Sequence, residues 1–96
     1  MTMTGEQIEI AISFTRNGWA DFEFWLDNDR VISKRLRALI KEVRRTPYEG
    51  TGKPEPLRYR IGGNIWSRRI TKEHRLVYRI QDDTIVIISA RYHYEK

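Results

Sequence analysis

Residues 75–88 read RLVYRIQDDTIVII, and this stretch decides the fold. Leu76, Tyr78 and Ile80 alternate with Arg75, Val77 and Arg79, the period of two that sends successive side chains to opposite faces of a strand. Asp82-Asp83 breaks the run with turn chemistry. Ile85 to Ile88 are then almost continuously apolar, as in a strand covered on both sides, so Ile85–Tyr94 is expected to form a central strand. Upstream, Trp66, Arg68 and Ile70 make another strand, joined through a turn at Thr71 to His74. Leu57, Tyr59 and Ile61 alternate with Arg58 and Arg60 in a further strand that enters the hairpin turn Gly62-Gly63-Asn64. Four consecutive strands with short turns predict an antiparallel meander.

The first half has a different period. Ile8, Ile10, Ile12 and Phe14 alternate with Glu9, Ala11 and Ser13 as a half-buried strand. Thr15 can then cap a helix bearing Trp19, Phe22 and Leu26 at helical spacing, with Trp25 beside them and Asp21, Glu23 and Asp27 on other faces. Asn28-Asp29 ends that helix and caps a second. In the second, Ile32, Leu36, Leu39, Ile40 and Val43 form one apolar stripe, and Arg30, Lys34, Arg37, Lys41 and Arg44 form a basic one. Pro47, Gly50, Gly52, Pro54 and Pro56 forbid helix interior and central strand alike, so Thr46 to Pro56 is a stiff polar loop suited to positioning something. The expected fold class is α+β: an N-terminal strand, a two-helix hairpin and the four-stranded meander, with the helices on one face of a five-stranded sheet. The 96 residues make a single domain, 1–96, with 1–7 as a flexible lead-in.

Charge points to the partner. There are 18 Lys and Arg against 13 Asp and Glu, a net charge of +5. Residues 49–96 hold ten bases and six acids, and between Leu57 and Gln81 seven bases face one acid, Glu73. That local excess predicts a polyanionic partner, nucleic acid first and an anionic membrane surface second. The chain has no cysteine, which excludes disulfides, thiolate metal sites and cysteine nucleophiles, and its two histidines cannot form a three-histidine metal site. No membrane span or signal peptide is evident, so an intracellular, cytoplasmic protein is expected. The arginines on the strands, interleaved with Tyr59, Tyr78, Tyr92 and Tyr94, suit RNA: guanidinium forks match phosphate oxygens and rings stack on bases.

RNA can be cut without metal or other cofactor when a base deprotonates the 2′-hydroxyl, an acid protonates the leaving 5′-oxygen and fixed cations hold the charge that builds on phosphorus. Glu55 in the stiff loop is the carboxylate set among cations. His93, near Arg91, is the histidine beside a candidate phosphate contact, where an anion would favour its acid form. His74 falls in a turn and reads as structural. Asp82-Asp83 has no second acidic cluster to make a two-metal site with.

Five blocks together resemble the YoeB toxins of the RelE superfamily, from bacterial type II toxin–antitoxin systems: Arg44-Arg45-Thr46-Pro47-Tyr48-Glu49-Gly50, Gly52-Lys53-Pro54-Glu55-Pro56-Leu57, Trp66-Ser67-Arg68-Arg69-Ile70-Thr71, Glu73-His74-Arg75-Leu76-Val77-Tyr78 and Arg91-Tyr92-His93-Tyr94. The resemblance runs in order from about Ile10 to Tyr94. It implies a RelE-like fold and a ribosome-dependent mRNA endonuclease held in check by a YefM-like antitoxin. Operator DNA would be met only through the antitoxin complex, and a homodimer is compatible with the family. It also implies roles: Glu55 as general base, His93 as general acid, Arg75 as transition-state stabiliser, Arg69 as a phosphate contact and Tyr94 as a holder of the substrate base. Arg58 stands where the family often has Lys, which keeps the charge and changes the hydrogen-bonding geometry. Three departures are visible: Glu95-Lys96 after the usual terminal tyrosine, a longer hairpin turn at Gly62-Gly63-Asn64 and a longer N-terminal lead-in. The competing reading is a non-catalytic nucleic-acid-binding partner or corepressor that acts with its antitoxin.

Overall fold

A computed structural model of the chain describes residues 10–57 and 64–92. The elements run β1 (Ala11–Phe14), α1 (Arg16–Asn28), α2 (Arg30–Arg45), β2 (Glu55–Pro56), β3 (Ile65–Arg69), β4 (Arg75–Gln81) and β5 (Thr84–Ser89). They build one five-stranded sheet in the order β1-β5-β4-β3-β2. β1 lies parallel to β5, and the remaining neighbours are antiparallel. The α+β class, the helix pair and the meander are therefore as the residue pattern predicts, with one exception. The described first meander strand is β2 at Glu55–Pro56, inside the expected loop, while the expected strand from Leu57 to Ile61 lies, beyond Leu57, outside the described residues. β5 is paired on both sides, and its apolar run supplies Ile85 and Ile87, both fully buried.

Local chemistry sets the helix boundaries. The Thr15 hydroxyl accepts from the Gly18 N–H at 2.9 Å and caps α1, and the Asp29 carboxylate accepts from the Ile32 N–H at 3.0 Å and caps α2. α2 buries Leu36, Leu39, Ile40 and Val43 against Leu76, Tyr78, Ile85 and Ile87 of the sheet. Its opposite face leaves Arg30, Lys34, Arg37 and Lys41 in solvent. Arg44 departs from that stripe: it is half-buried, and its Nε donates to the Ile10 carbonyl at 3.0 Å.

α1 is rotated from the expected face. Trp19 and Leu26 are each nearly half exposed, and the residues turned inward are Gly18, Asp21 and Trp25. Gly18 explains the rotation. A Cβ there would sit 2.2 Å from the Ile87 carbonyl oxygen, so only glycine lets the helix lie this close to β5. The approach brings Asp21 and Trp25 onto the end of β5. The Asp21 carboxylate accepts from the Ala90 N–H at 2.8 Å, and the Trp25 indole donates to the Ala90 carbonyl at 2.8 Å. With both backbone groups of Ala90 taken by α1, the ladder stops, and β5 ends at Ser89 instead of running on to Tyr94. Trp19 still packs, edge-on to Phe14 with ring centroids 5.3 Å apart.

Candidate active site

The sheet face away from the helices carries the site. Register places Glu55 of β2 opposite Ser67 of β3, and Ser67 opposite Val77 of β4, while Arg69 lies opposite Arg75. Opposed residues of an antiparallel pair share a face, so Glu55, Ser67, Arg69 and Arg75 form one cluster. The Arg75 Nε donates to the Ser67 hydroxyl at 3.0 Å, and its terminal nitrogen lies 3.5 Å from the Glu55 carboxylate. The Arg75 side chain is mostly covered, at 13% exposure, while that of Glu55 is 65% exposed. The guanidinium is thus held in place, and the carboxylate faces solvent beside it. Ser67 was not among the expected site residues; its signal is its phase, two residues from Arg69 on the same strand face.

Arg69 is exposed, and two like charges directly opposite each other in a sheet repel. An anion between Arg69 and Arg75 would relieve that repulsion. The arrangement suits a phosphate held by two guanidiniums with a carboxylate at its side.

The loop that delivers Glu55 is fixed from the opposite face of β3. Arg68 is completely buried on the helix side, between Trp66 and Ile70 in the apolar phase of the strand. Its Nε donates to the Tyr78 hydroxyl at 3.1 Å, and its terminal nitrogens donate to the carbonyls of Thr46, Glu49 (2.9 Å) and Thr51 (3.2 Å), with Glu42 of α2 at 3.5 Å. Four of its five N–H groups donate to these acceptors and its charge is paired with Glu42, so Arg68 is committed within the fold and not to a phosphate. This corrects the charge count: one of its seven bases is a structural strut. Tyr78 is corrected likewise. It is buried under α2, and its hydroxyl donates to the Pro47 carbonyl at 2.7 Å, so it cannot stack on RNA; burial pushes its hydroxyl pKa above 10.0.

The Glu42 carboxylate completes the brace by accepting from the Thr51 N–H at 2.8 Å. That hydrogen bond, with the nearby Arg68 charge, holds its carboxyl below the ordinary 4.5. Gly50 takes φ +121° with the Glu42 carboxylate where its Cβ would be, and the Gly52 carbonyl accepts from the Arg69 N–H at 2.8 Å. The stiff loop is therefore tied to α2 and β3 along its length, and Glu55 follows three residues later.

The remaining expected residues divide. Arg91 does not reach this cluster: its guanidinium lies 3.7 Å over the Phe24 ring of α1 and 5.1 Å over its neighbour Tyr92. Arg58, His93 and Tyr94 lie outside the described residues, as do Tyr59, the glycines of the Gly62-Gly63-Asn64 turn and the lead-in 1–7.

A family model for the YoeB-like toxin of bacterial type II toxin–antitoxin systems matches residues 14–94. The chain belongs to the YoeB family. A curated Toxin YoeB from Escherichia coli K12 is 51% identical over 81 residues, covering 84% of this chain and 95% of that protein. Among solved structures, a YoeB dimer from Staphylococcus aureus superposes with a TM-score of 0.81 at 38% identity, covering 91% of this chain and 100% of that one. A YoeB–YefM complex from the same organism gives 0.77 at 36% identity, with the same coverage of both chains. Of the blocks quoted from the sequence, those bearing Glu55, Arg69 and Arg75 fall on β2, β3 and β4 of this YoeB-family chain, while Arg91 and Tyr92 follow β5.

Proposed function

We propose that this YoeB-family chain is a ribosome-dependent mRNA endonuclease that cuts without metal, by attack of the ribose 2′-hydroxyl on the adjacent phosphate. The observation that carries the reading is the pairing of Glu55 with Arg75 at 3.5 Å on one sheet face, with Arg69 directly opposite Arg75. Glu55 takes the 2′-hydroxyl proton as the new oxygen–phosphorus bond forms. Arg75 and Arg69 hold the phosphoryl oxygens as negative charge builds, worth most where geometry is fixed beforehand. Ser67 does that fixing for Arg75. The bond from phosphorus to the 5′-oxygen breaks, and His93 supplies the proton that oxygen needs. The products are a 2′,3′-cyclic phosphate and a 5′-hydroxyl. Arg58 and Tyr94 would serve the flanking phosphate and base.

The partners follow from the same surface. A YefM-like antitoxin with an acidic segment would complement the basic face and cover the cluster, and a homodimer is in keeping with the dimeric relative. The test is cleavage of a defined mRNA in a purified translation system. Glu55→Gln and Arg75→Ala should each lower the rate constant for cutting by about 100-fold or more while the variants stay folded. Cleavage at the wild-type rate by both would overturn the roles given to Glu55 and Arg75, and no cleavage by the wild type would leave the non-catalytic binding role as the correct one.

A further inference from the structure

His74 is buried beside the site, and the chemistry above does not use it. Its main chain is locked in the turn before β4: its carbonyl accepts from the Ile70 N–H at 2.8 Å and the Thr71 N–H at 3.1 Å. Its ring stands edge-on to Trp25 at 4.7 Å between centroids and lies 5.0 Å from the Tyr92 ring. Nδ1 accepts from the Tyr92 N–H at 2.7 Å. An accepting Nδ1 carries no hydrogen, which leaves Nε2 as the ring's donor nitrogen. The next residue, Arg75, donates its N–H to the Tyr92 carbonyl at 3.2 Å.

These bonds complete a clasp on residues 90–92, just after β5. Asp21 and Trp25 hold both backbone groups of Ala90, Phe24 carries the Arg91 guanidinium, and His74 and Arg75 hold both backbone groups of Tyr92. Tyr92 takes φ +61°, a left-handed conformation that a bulky residue adopts only when its surroundings impose it. The backbone carbonyl that Arg75 grips is the one joined to His93, so one end of the catalytic strand fixes the point from which the chain leaves toward the proposed acid.

We infer that His74 is a positioning residue for cleavage, acting as the hydrogen-bond acceptor that sets the Tyr92 backbone, the residue to which the proposed acid His93 is bonded. This rests on the nuclease reading above. A positioning error of about 1 Å costs about 100-fold in rate, by the general sensitivity of oriented reactions. Substrate binding, set by surface cations, is left alone.

The experiment uses the full chain and three readouts: His74 ring-nitrogen shifts, Tyr92 amide exchange, and kcat and KM for cutting a defined mRNA in a purified translation system. In the wild type, the ring must show the Nε2-protonated tautomer with Nδ1 accepting, and the Tyr92 amide must be protected. His74→Leu should speed Tyr92 exchange at least about 10-fold and lower kcat about 100-fold with KM within about twofold. In His74→Asn the side-chain oxygen can stand near the place of Nδ1, so protection and most of kcat should return. The inference is overturned by an Nδ1-protonated tautomer in the wild type, a measurement that needs no variant to fold. It is overturned equally by unchanged kcat in His74→Leu once Tyr92 is released, or by a KM effect alone. If the wild type fails to cut while Tyr92 stays protected, the nuclease reading fails and the positioning role falls with it, though the clasp stands.

Discussion

Tyr78→Phe removes one oxygen from a fully buried residue and tests the brace behind the Glu55 loop. The wild-type hydroxyl donates to the Pro47 carbonyl at 2.7 Å and accepts from the Arg68 Nε at 3.1 Å. Phenylalanine fills the same space, so no cavity forms and the loss is confined to hydrogen bonding. An unpaired buried carbonyl costs about 1–3 kcal/mol, and a hydrogen bond from a charged donor contributes about 1.5–3 kcal/mol. Partial relaxation makes the two less than additive, so the net destabilisation should be about 2–4 kcal/mol. For a domain of this size, that lowers Tm by roughly 8–32 °C, at about 4–8 °C per kcal/mol. Urea unfolding at neutral pH should show a lower midpoint with an unchanged slope. Alkaline titration supplies a second sign. The Tyr78 pKa is raised in the folded state above 10.0, so its contribution is fully present below pH 10.0 and is lost as pH rises through the folded value. The variant should lack that alkaline loss. A destabilisation below about 0.5 kcal/mol, the range of a neutral surface change, with an unaltered alkaline limb, would refute the brace.

Two further predictions concern the scaffold. The Glu42 carboxyl pKa is depressed, so its contribution is present above its unfolded value near 4.5 and is lost as pH falls through the lower folded value. Glu42→Gln should flatten the acid limb of stability measured by urea unfolding, with a cost at neutral pH of about 0.5–1 kcal/mol for a solvent-screened pair. Gly18→Ala would place a carbon 2.2 Å from the Ile87 carbonyl oxygen, so α1 must lift from β5. The expected loss is about 2–3 kcal/mol by overpacking, with faster amide exchange at Ala90, whose N–H is held by Asp21.

Much of this was legible in the residues themselves. The alternation in β4 set Leu76 and Tyr78 inward and Arg75 outward, and Thr15 and Asp29 marked both helix starts. Glu55 stands out by its place among cations and Arg75 by the family resemblance, and the structure brings their side chains to 3.5 Å. Arg68 shows what a charge count misses. Its phase, between Trp66 and Ile70, already marked it as inward, but the acceptors that make burial tolerable come from α2 and from the loop, roughly 17 to 26 residues earlier in the chain. α1 shows a second limit. Aromatic spacing favoured Trp19 as the inner face, whereas the close approach allowed by Gly18 and the Ala90 backbone bonds of Asp21 and Trp25 decided otherwise. Polar residues that bond to backbone leave no periodic trace, and that also hid the role of His74.

The central claim is that Glu55 and Arg75 support attack by the 2′-hydroxyl, and the chemistry of the cut ends tests it most directly. In a purified translation system, wild-type cleavage of a defined mRNA should leave an upstream fragment ending in a 2′,3′-cyclic or 3′-phosphate and a downstream fragment beginning with a 5′-hydroxyl. A 3′-hydroxyl with a 5′-phosphate would mean that water, not the ribose, attacked the phosphorus, and would contradict the account.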